Sequence, residues 1–345
     1  MRSVVFMDQW DEFVAKIAVV GAGGQGSNLV NRLYNMGIKS ATTIAMNTDV
    51  KHLNMIKAHK KLLIGKELTK GLGAGGFPEI GAKAADSSRE EIREAVRGYN
   101  MVFIGAGMGG GTGGGSAKII SDIAKEEGAL VVAFVTYPFS LERSRKQKAN
   151  WGISELTKSA DTTIVIENDK VLRYAPNLPM DKAFELVDSI ACNAVKGISD
   201  TIMMPSLINL DYADVRSVLG GGGAAVINVG SGSGPDKVDQ AIRNTVSHPL
   251  LDIDITGAKR ALVHVSGGEG LTIEEATKIG QGVTENMAED ANVIFGARLD
   301  GDASNTIKVM SIVAGMNPKL LLERNQERSA ERSSGSTDEM ISDLI

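Results

Sequence analysis

Disulfide chemistry is closed to this chain: its 345 residues include a single cysteine, Cys192. One thiol forms no intrachain bridge and builds no Cys-rich zinc site. The four histidines are dispersed, without an HExxH pair, and offer no metal site. Aromatic residues make up only 4%, so the core has to be aliphatic. Net charge is a mere −5, from 37 basic and 42 acidic residues, which argues against a general binder of nucleic acid or anionic membrane. The most apolar stretch, 128–139, falls short of the ~20 residues that span a bilayer. Residues 1–15 lack the basic start and apolar run of a signal peptide. These absences point to a cytoplasmic protein with no nucleic-acid partner and no direct membrane insertion.

Glycine, by contrast, is in excess, with 40 residues where about 7% is ordinary. The glycines cluster, so the backbone has to come close to something. Apolar runs that read as strands (16–21, 42–46, 62–64, 101–104, 130–136 and 162–166) alternate with segments of helical spacing at 28–36, 89–97, 116–127 and 145–158. This alternation predicts an α/β fold with a doubly wound parallel sheet. The glycine clusters follow strands, which is where open sheets bind ligands. Residues 181–203 predict one long central helix. Beyond Val218 come the strands and helices of a smaller α+β C-terminal domain. After Pro318, Glu-Arg pairs repeat every four residues as in a solvated linker, and the chain ends in the acidic, partly apolar DEMISDLI.

Gly21, Gly23 and Gly26 satisfy GxGxxG between a strand and a helix, with Asp49 at the end of the next strand. This pattern serves a dinucleotide pyrophosphate or a tight structural turn. A second cluster, GAGMGGGTGGGSA at 105–117, follows the fourth strand and abuts another helix. Consecutive glycine amides form an anion nest, and Thr112 adds a hydroxyl. A nicotinamide dehydrogenase has no need of a second phosphate nest here; a nucleoside di- or triphosphate has. Asp211 and Asp214, three apart, read as a helix-capping pair or as two carboxylates on one face.

The stretch GGGTGGG is similar to the tubulin signature GGGTGTG, and the chain resembles the FtsZ family of tubulin-like prokaryotic GTPases. GAGGQGSN (21–28), NTD (47–49), GLGAGGFPEIG (71–81), TYPFSLE (136–142), ENDK (167–170) and NLDYADV (209–215) occur in family order across about residues 15–316. NRL at 31–33 and the N-terminal extension lean towards an archaeal form.

The resemblance implies a tubulin/FtsZ-like fold: an extension at 1–15, a GTP-binding domain at 16–180, a central helix at 181–204, an α+β domain with the catalytic loop at 205–317, and a linker and tail at 318–345. It implies binding of GTP/GDP with Mg²⁺ held mainly by phosphates and water. Gly24, Gln25, Gly26, Ser27 and Asn28 would line the diphosphate, with Asn47 beside them. Gly109, Gly110, Gly111, Thr112 and Gly113 would donate amides to the β- and γ-phosphates. Ala74 and Gly75 would sit near the γ-phosphate, Glu142 at the ribose and Arg145 at the phosphates or sugar. Asp188 and Asn168 would read guanine with Phe184 stacking, although the spacing alone leaves Phe184 a core residue and Asp188 a solvated one. Asp211 and Asp214, with Asn209, would act on the GTP of the neighbouring subunit in a head-to-tail filament at the mid-cell division site. The tail would meet a division adaptor or membrane tether, against the alternative of a frayed end.

Three departures stand out. Gly114 replaces the usual threonine. The segment from Glu142 to Gly152 is one residue short, so Arg143 competes with Arg145. Gly220–Gly223 has no functional account. The rival readings are a tubulin-like filament regulator with weak hydrolysis and an NAD-dependent oxidoreductase resting on GxGxxG and Asp49.

Overall fold

The computed structural model describes residues 15–170, 179–204, 206–208, 210–221, 224–246, 255–299 and 305–316. The N-terminal extension up to residue 14, Asn209, Gly222, Gly223, the linker and tail from 317, and the side chain of Phe184 lie outside the described residues.

Six strands, β1 (Ile17–Ala22), β2 (Thr42–Asn47), β3 (Lys60–Leu63), β4 (Met101–Gly107), β5 (Leu130–Tyr137) and β6 (Thr162–Glu167), form a parallel sheet in the order β3-β2-β1-β4-β5-β6. Both faces are covered, so the strands read as continuous apolar runs. Within β1, Ile17 and Val19 enter one core, while Ala18, Val20 and Ala22 enter the other. The first core is closed by α1 (Gly23–Asn35), and the second by α4 (Pro78–Asp86), α5 (Arg89–Val96), α6 (Gly111–Glu126) and α7 (Arg143–Ser159).

The helices depart most from the sequence reading. α1 begins five residues before the expected 28, and α6 begins inside the expected glycine loop. α2 (Val50–Met55), α3 (Lys66–Thr69) and α4 have no counterpart in that reading. Glycine disfavours helix by about 1 kcal/mol per residue, so a Gly-rich first turn does not look helical in sequence. Packing overrides that cost. A Cβ at Gly115 would lie 2.0 Å from the Pro78 carbonyl oxygen, and one at Gly81 would lie 2.2 Å from that of Gly111. The crossing of α4 and α6 therefore needs bare backbone at both contacts. Gly114 is different, because a Cβ there meets nothing closer than the Gly109 nitrogen at 3.8 Å. Gly114→Ala is expected to stabilise the fold by ~0.5–1 kcal/mol, read as a higher denaturation midpoint; a lower midpoint would mean the bare position matters to α6.

The long helix α8 (Met180–Met203) packs on α1 and carries Val187, Ala191, Ala194, Val195 and Ile198 into the first core. Beyond it come α9 (Tyr212–Leu219), β7 (Ala224–Ser233), α10 (Lys237–Val246), β8 (Arg260–Gly267), α11 (Ile273–Thr284), β9 (Asn292–Leu299) and β10 (Thr306–Met316). β10 lies antiparallel between β7 and β8, and β9 is parallel to β8. One residue pair, Thr163 with Ala224, joins this smaller mixed sheet to the first. Arg260 runs beside Gly221 and Gly315, and a Cβ at Gly221 would strike its guanidinium. The guanidinium ends a flexible side chain and can move aside, whereas a Cβ at Gly220 would lie 2.6 Å from the backbone carbonyl oxygen of Arg216, which gives that glycine of the run a packing reason.

His264 on β8 is buried and its Nε2 has no hydrogen-bond partner. Burial first, and the charge of Arg298 second, push its imidazole from 6.5 down to about 4, against the pull of Asp200. Between those values the unfolded chain holds more protons than the folded one. Stability that is full above pH 6.5 is therefore lost as pH falls towards 4, by on the order of 3 kcal/mol. In denaturant titrations at several pH values, His264→Leu should flatten this slope; an unchanged slope would assign it elsewhere.

Candidate active site

The sheet order reverses between β1 and β4, the position at which doubly wound sheets open a crevice beyond their carboxyl ends. Ala22 and Gly107, the last residues of these strands, line a cleft of about 480 Å³. Two helices start on its walls. α1 presents Gly24 and Gln25, and α6 presents Gly111, Thr112 and Gly113 behind its N-cap Gly110. Neither N-cap, Ala22 or Gly110, makes a side-chain capping bond. The first-turn N–H groups of both helices lack that partner and converge with their positive dipole ends on one space, which suits an anion. Gly109, at φ +108°, makes the turn that aims α6.

The third wall comes from the β5–α7 connection and the residue after β6. Glu142 and Arg145 pair at 2.5 Å (Arg145 Nη1 to Glu142 Oε2), and the other Glu142 oxygen accepts from the Phe139 N–H at 3.1 Å. Both arginines are exposed, but Arg145 lines the cleft and Arg143 does not. Asn168 is 97% buried on this wall, and its Oδ1 has no partner. An orphaned acceptor of this kind favours a donor from a ligand. A narrow crevice sharing Gln25 and Thr136 with the cleft is lined by Gly26 and Asp188. Burial raises the Asp188 carboxyl to about 6; nearby Arg32 opposes this and Glu185 adds to it.

Ser27, Asn28, Asn47, Ala74, Gly75 and Gly109 are not among the residues lining either space. Ser27 is buried with an unpartnered Oγ, and Asn28 is exposed. The Asn47 amide oxygen accepts from the N–H groups of Thr48 at 2.8 Å and Asp49 at 3.3 Å, pinning the β2–α2 turn. Ala74 packs on Gly111, with its Cβ 2.9 Å from where a Cβ of that glycine would lie. The sequence reading gave no role to Thr48, whose hydroxyl lies 2.6 Å from that of Thr112, or to Thr136, Pro138 and Phe139 in the cleft wall. The signal was available, since all four fall inside the NTD and TYPFSLE stretches at strand ends. Asp49 accepts from the His52 N–H at 3.1 Å and caps α2. It is not among the cleft-lining residues, so the acid on which a dinucleotide reading relies is engaged elsewhere.

The carboxylate pair lies far away. Asp211 and Asp214 form a reciprocal capping box on α9: Asp214 N–H donates to Asp211 Oδ1 at 2.8 Å, and Asp211 N–H to Asp214 Oδ2 at 3.1 Å. The adjacent Tyr212 hydroxyl donates to the Asn100 carbonyl at 2.7 Å. Asn100 precedes β4 and Gly107 ends it, so at ~3.3 Å per residue the acids and the cleft sit about 20 Å apart on opposite ends of the sheet.

Residues 16–176 match the Tubulin/FtsZ family GTPase domain, and residues 223–317 match the FtsZ family C-terminal domain. The chain belongs to the FtsZ family. It is 48% identical over 348 residues to cell division protein FtsZ 2 of Methanocaldococcus jannaschii, covering 96% of this chain and 92% of that protein. It is 47% identical over 333 residues to FtsZ 2 of Halobacterium salinarum, covering 96% and 85%. An empty FtsZ dimer from M. jannaschii superimposes with a TM-score of 0.83 at 45% identity, covering 87% of this chain and 88% of that one. CetZ2 of Haloferax volcanii shares the fold at 20% identity and a TM-score of 0.76. As an FtsZ GTPase, the chain takes GTP as substrate, and the donor-rich helix ends and the unpartnered Asn168 fit a nucleotide in the cleft.

Proposed function

We propose that this FtsZ-family GTPase builds one active site from two subunits, the cleft of one and the Asp211–Asp214 end of the next. The observation that carries this reading is the ~20 Å between the acids and the cleft within one chain, too far for a side chain to reach. Exposed apolar side chains stand at both ends, Leu141 beside the cleft and Leu207 and Ile208 before α9. A heterologous joint between unlike ends propagates as an open filament.

In this reading Gly24, Gln25 and Gly26 hold the diphosphate, and Gly110–Gly113 donate amides to the β- and γ-phosphates. Ser27, Asn28, Asn47 and Gly109 shape those segments from behind. Glu142 and Arg145 meet the ribose and phosphates, and Asp188 and Asn168 read guanine beside Phe184. Ala74 and Gly75 border the terminal phosphate. Asp211 and Asp214 of the neighbour, with Asn209, orient and polarise the attacking water. Mg²⁺ would be carried mainly by the phosphates and water, where it would neutralise charge. The filament acts in the cytoplasm at the division site, and the 338–345 peptide engages an adaptor or membrane tether. No described helix is long and apolar enough to cross a membrane.

The test is GTP turnover against protein concentration with Mg²⁺, alongside light scattering. A shared threshold for both signals is expected. Turnover strictly proportional to protein, without scattering, would mean a self-contained site. Scattering without turnover would select the weakly hydrolysing regulator.

A further inference from the structure

Between β3 and α4 the chain passes Ala74–Phe77, and the backbone at Gly73, Gly75 and Gly76 lies at φ +88°, +59° and +78°. Glycines in the left-handed region carry a large ordering entropy; the Phe77 N–H donates to the Ala74 carbonyl at 3.0 Å within the loop, and the remaining ties come from outside it. Its upstream end is tied to the β2–α2 turn by Gly73 N–H to the Thr48 carbonyl at 3.1 Å and Val50 N–H to the Gly71 carbonyl at 3.0 Å. The Gly76 end is held by a side chain 72 residues away. The Lys148 ammonium, on α7, donates to the Gly76 carbonyl at 2.7 Å and stands 5.3 Å from the centroid of the Phe77 ring. A charged donor and a cation–π contact make this a stronger tether than one neutral hydrogen bond.

The loop that Lys148 holds lines neither space itself but packs directly behind a residue that does. Gly111 lines the cleft as the first residue of α6. A Cβ on Gly111 would lie 2.8 Å from the Phe77 nitrogen and 2.9 Å from the Ala74 Cβ. Ala74–Phe77 therefore packs on the first turn of α6, and Lys148 is one of the contacts that hold it there.

We propose that Lys148 is a positioning residue that holds Ala74–Phe77 closed on the α6 N-terminus, so that the site distinguishes a nucleoside triphosphate from a diphosphate. This rests on the nucleotide reading of the cleft above. Lys148 acts through the loop, and its ammonium also adds positive charge on the side where the triphosphate is the more anionic ligand.

The experiment uses the full chain below its assembly threshold, with GDP and a non-hydrolysable GTP analogue as probes. Lys148→Met is expected to weaken the analogue about tenfold and GDP less than twofold, with Lys148→Arg restoring most of the difference. Equal losses for both nucleotides, or none for either, would overturn the proposal. A second measurement needs no variant: amide hydrogen exchange at 74–77 in the wild type should slow more with the analogue than with GDP. Identical protection by the two also overturns it. A wild type that binds neither nucleotide would instead defeat the reading of the cleft itself.

Discussion

Asp214→Asn is expected to bind GTP and assemble as the wild type does, while turnover falls by about 10²–10⁴-fold, the range supplied by positioned acid–base groups. The capping box makes this variant a clean one. Asp214 contributes one oxygen to the Asp211 N–H at 3.1 Å and its own N–H to Asp211 at 2.8 Å. Asparagine keeps an acceptor oxygen for the first bond and the backbone donor for the second, so α9 and its apolar face (Val215, Val218 and Leu219, all buried) stay in place. What disappears is negative charge at an exposed helix start. A helix dipole stabilises such charge by only ~0.3–1 kcal/mol, too little to explain a loss of that size through folding. Mixing gives the decisive control. Asp214→Asn subunits have intact clefts, and Asp188→Asn subunits have intact acids, so a joint between them has both parts and turnover should recover in part. Undiminished hydrolysis by Asp214→Asn, or no recovery on mixing, would break the two-subunit site.

Asp188→Asn is expected to cost about 10²-fold in GTP affinity, on the order of 3 kcal/mol, the scale of hydrogen bonds to a charged acceptor. The carboxyl lines the inner crevice behind Gln25 and Thr136, and burial holds it at about 6. Arg32 offsets the burial of this carboxylate only in part, and guanine's N1–H and exocyclic amine would supply two donors. The sign of the pH dependence follows. On the proposed reading guanine binds the ionised form, so affinity present above about pH 6 is expected to be lost as pH falls through that value. In the nucleotide-free protein the same raised carboxyl works the other way. The folded state holds more protons than the unfolded one between the ordinary carboxylate value and about 6, so stability falls as pH rises across that window. Binding measured from pH 5 to 8 should show an extra acid-side loss in the wild type that Asp188→Asn lacks, because phosphate titration is common to both. Parallel profiles would place base recognition elsewhere.

The sequence by itself determined the class of fold, the order of the glycine motifs and the family. These are carried by local signals: apolar runs of strand length, glycines at fixed offsets after strands, and short motifs in a set order. The proposed role of Asp188 rests on the family match, because the spacing on α8 does not separate a crevice-lining carboxylate from a solvated one. Tertiary structure decided what each glycine does. Gly26 is bare because a Cβ there would lie 2.1 Å from the Gly105 carbonyl oxygen, and Gly115 because α4 crosses it, whereas Gly24 and Gly110–Gly113 line the cleft. It also decided that Gly111–Gly115 is helix, that Asn47 holds a turn, and that Lys148 reaches Gly76. A missing side chain looks the same in sequence whether a ligand or another backbone takes its place. Contacts spanning 72 or 112 residues, as for Lys148 with Gly76 and Tyr212 with Asn100, exist only once the sheet is assembled. The last of these sets the acids at the opposite end of the sheet from the cleft, and on the proposed reading it is this separation that calls for a second subunit.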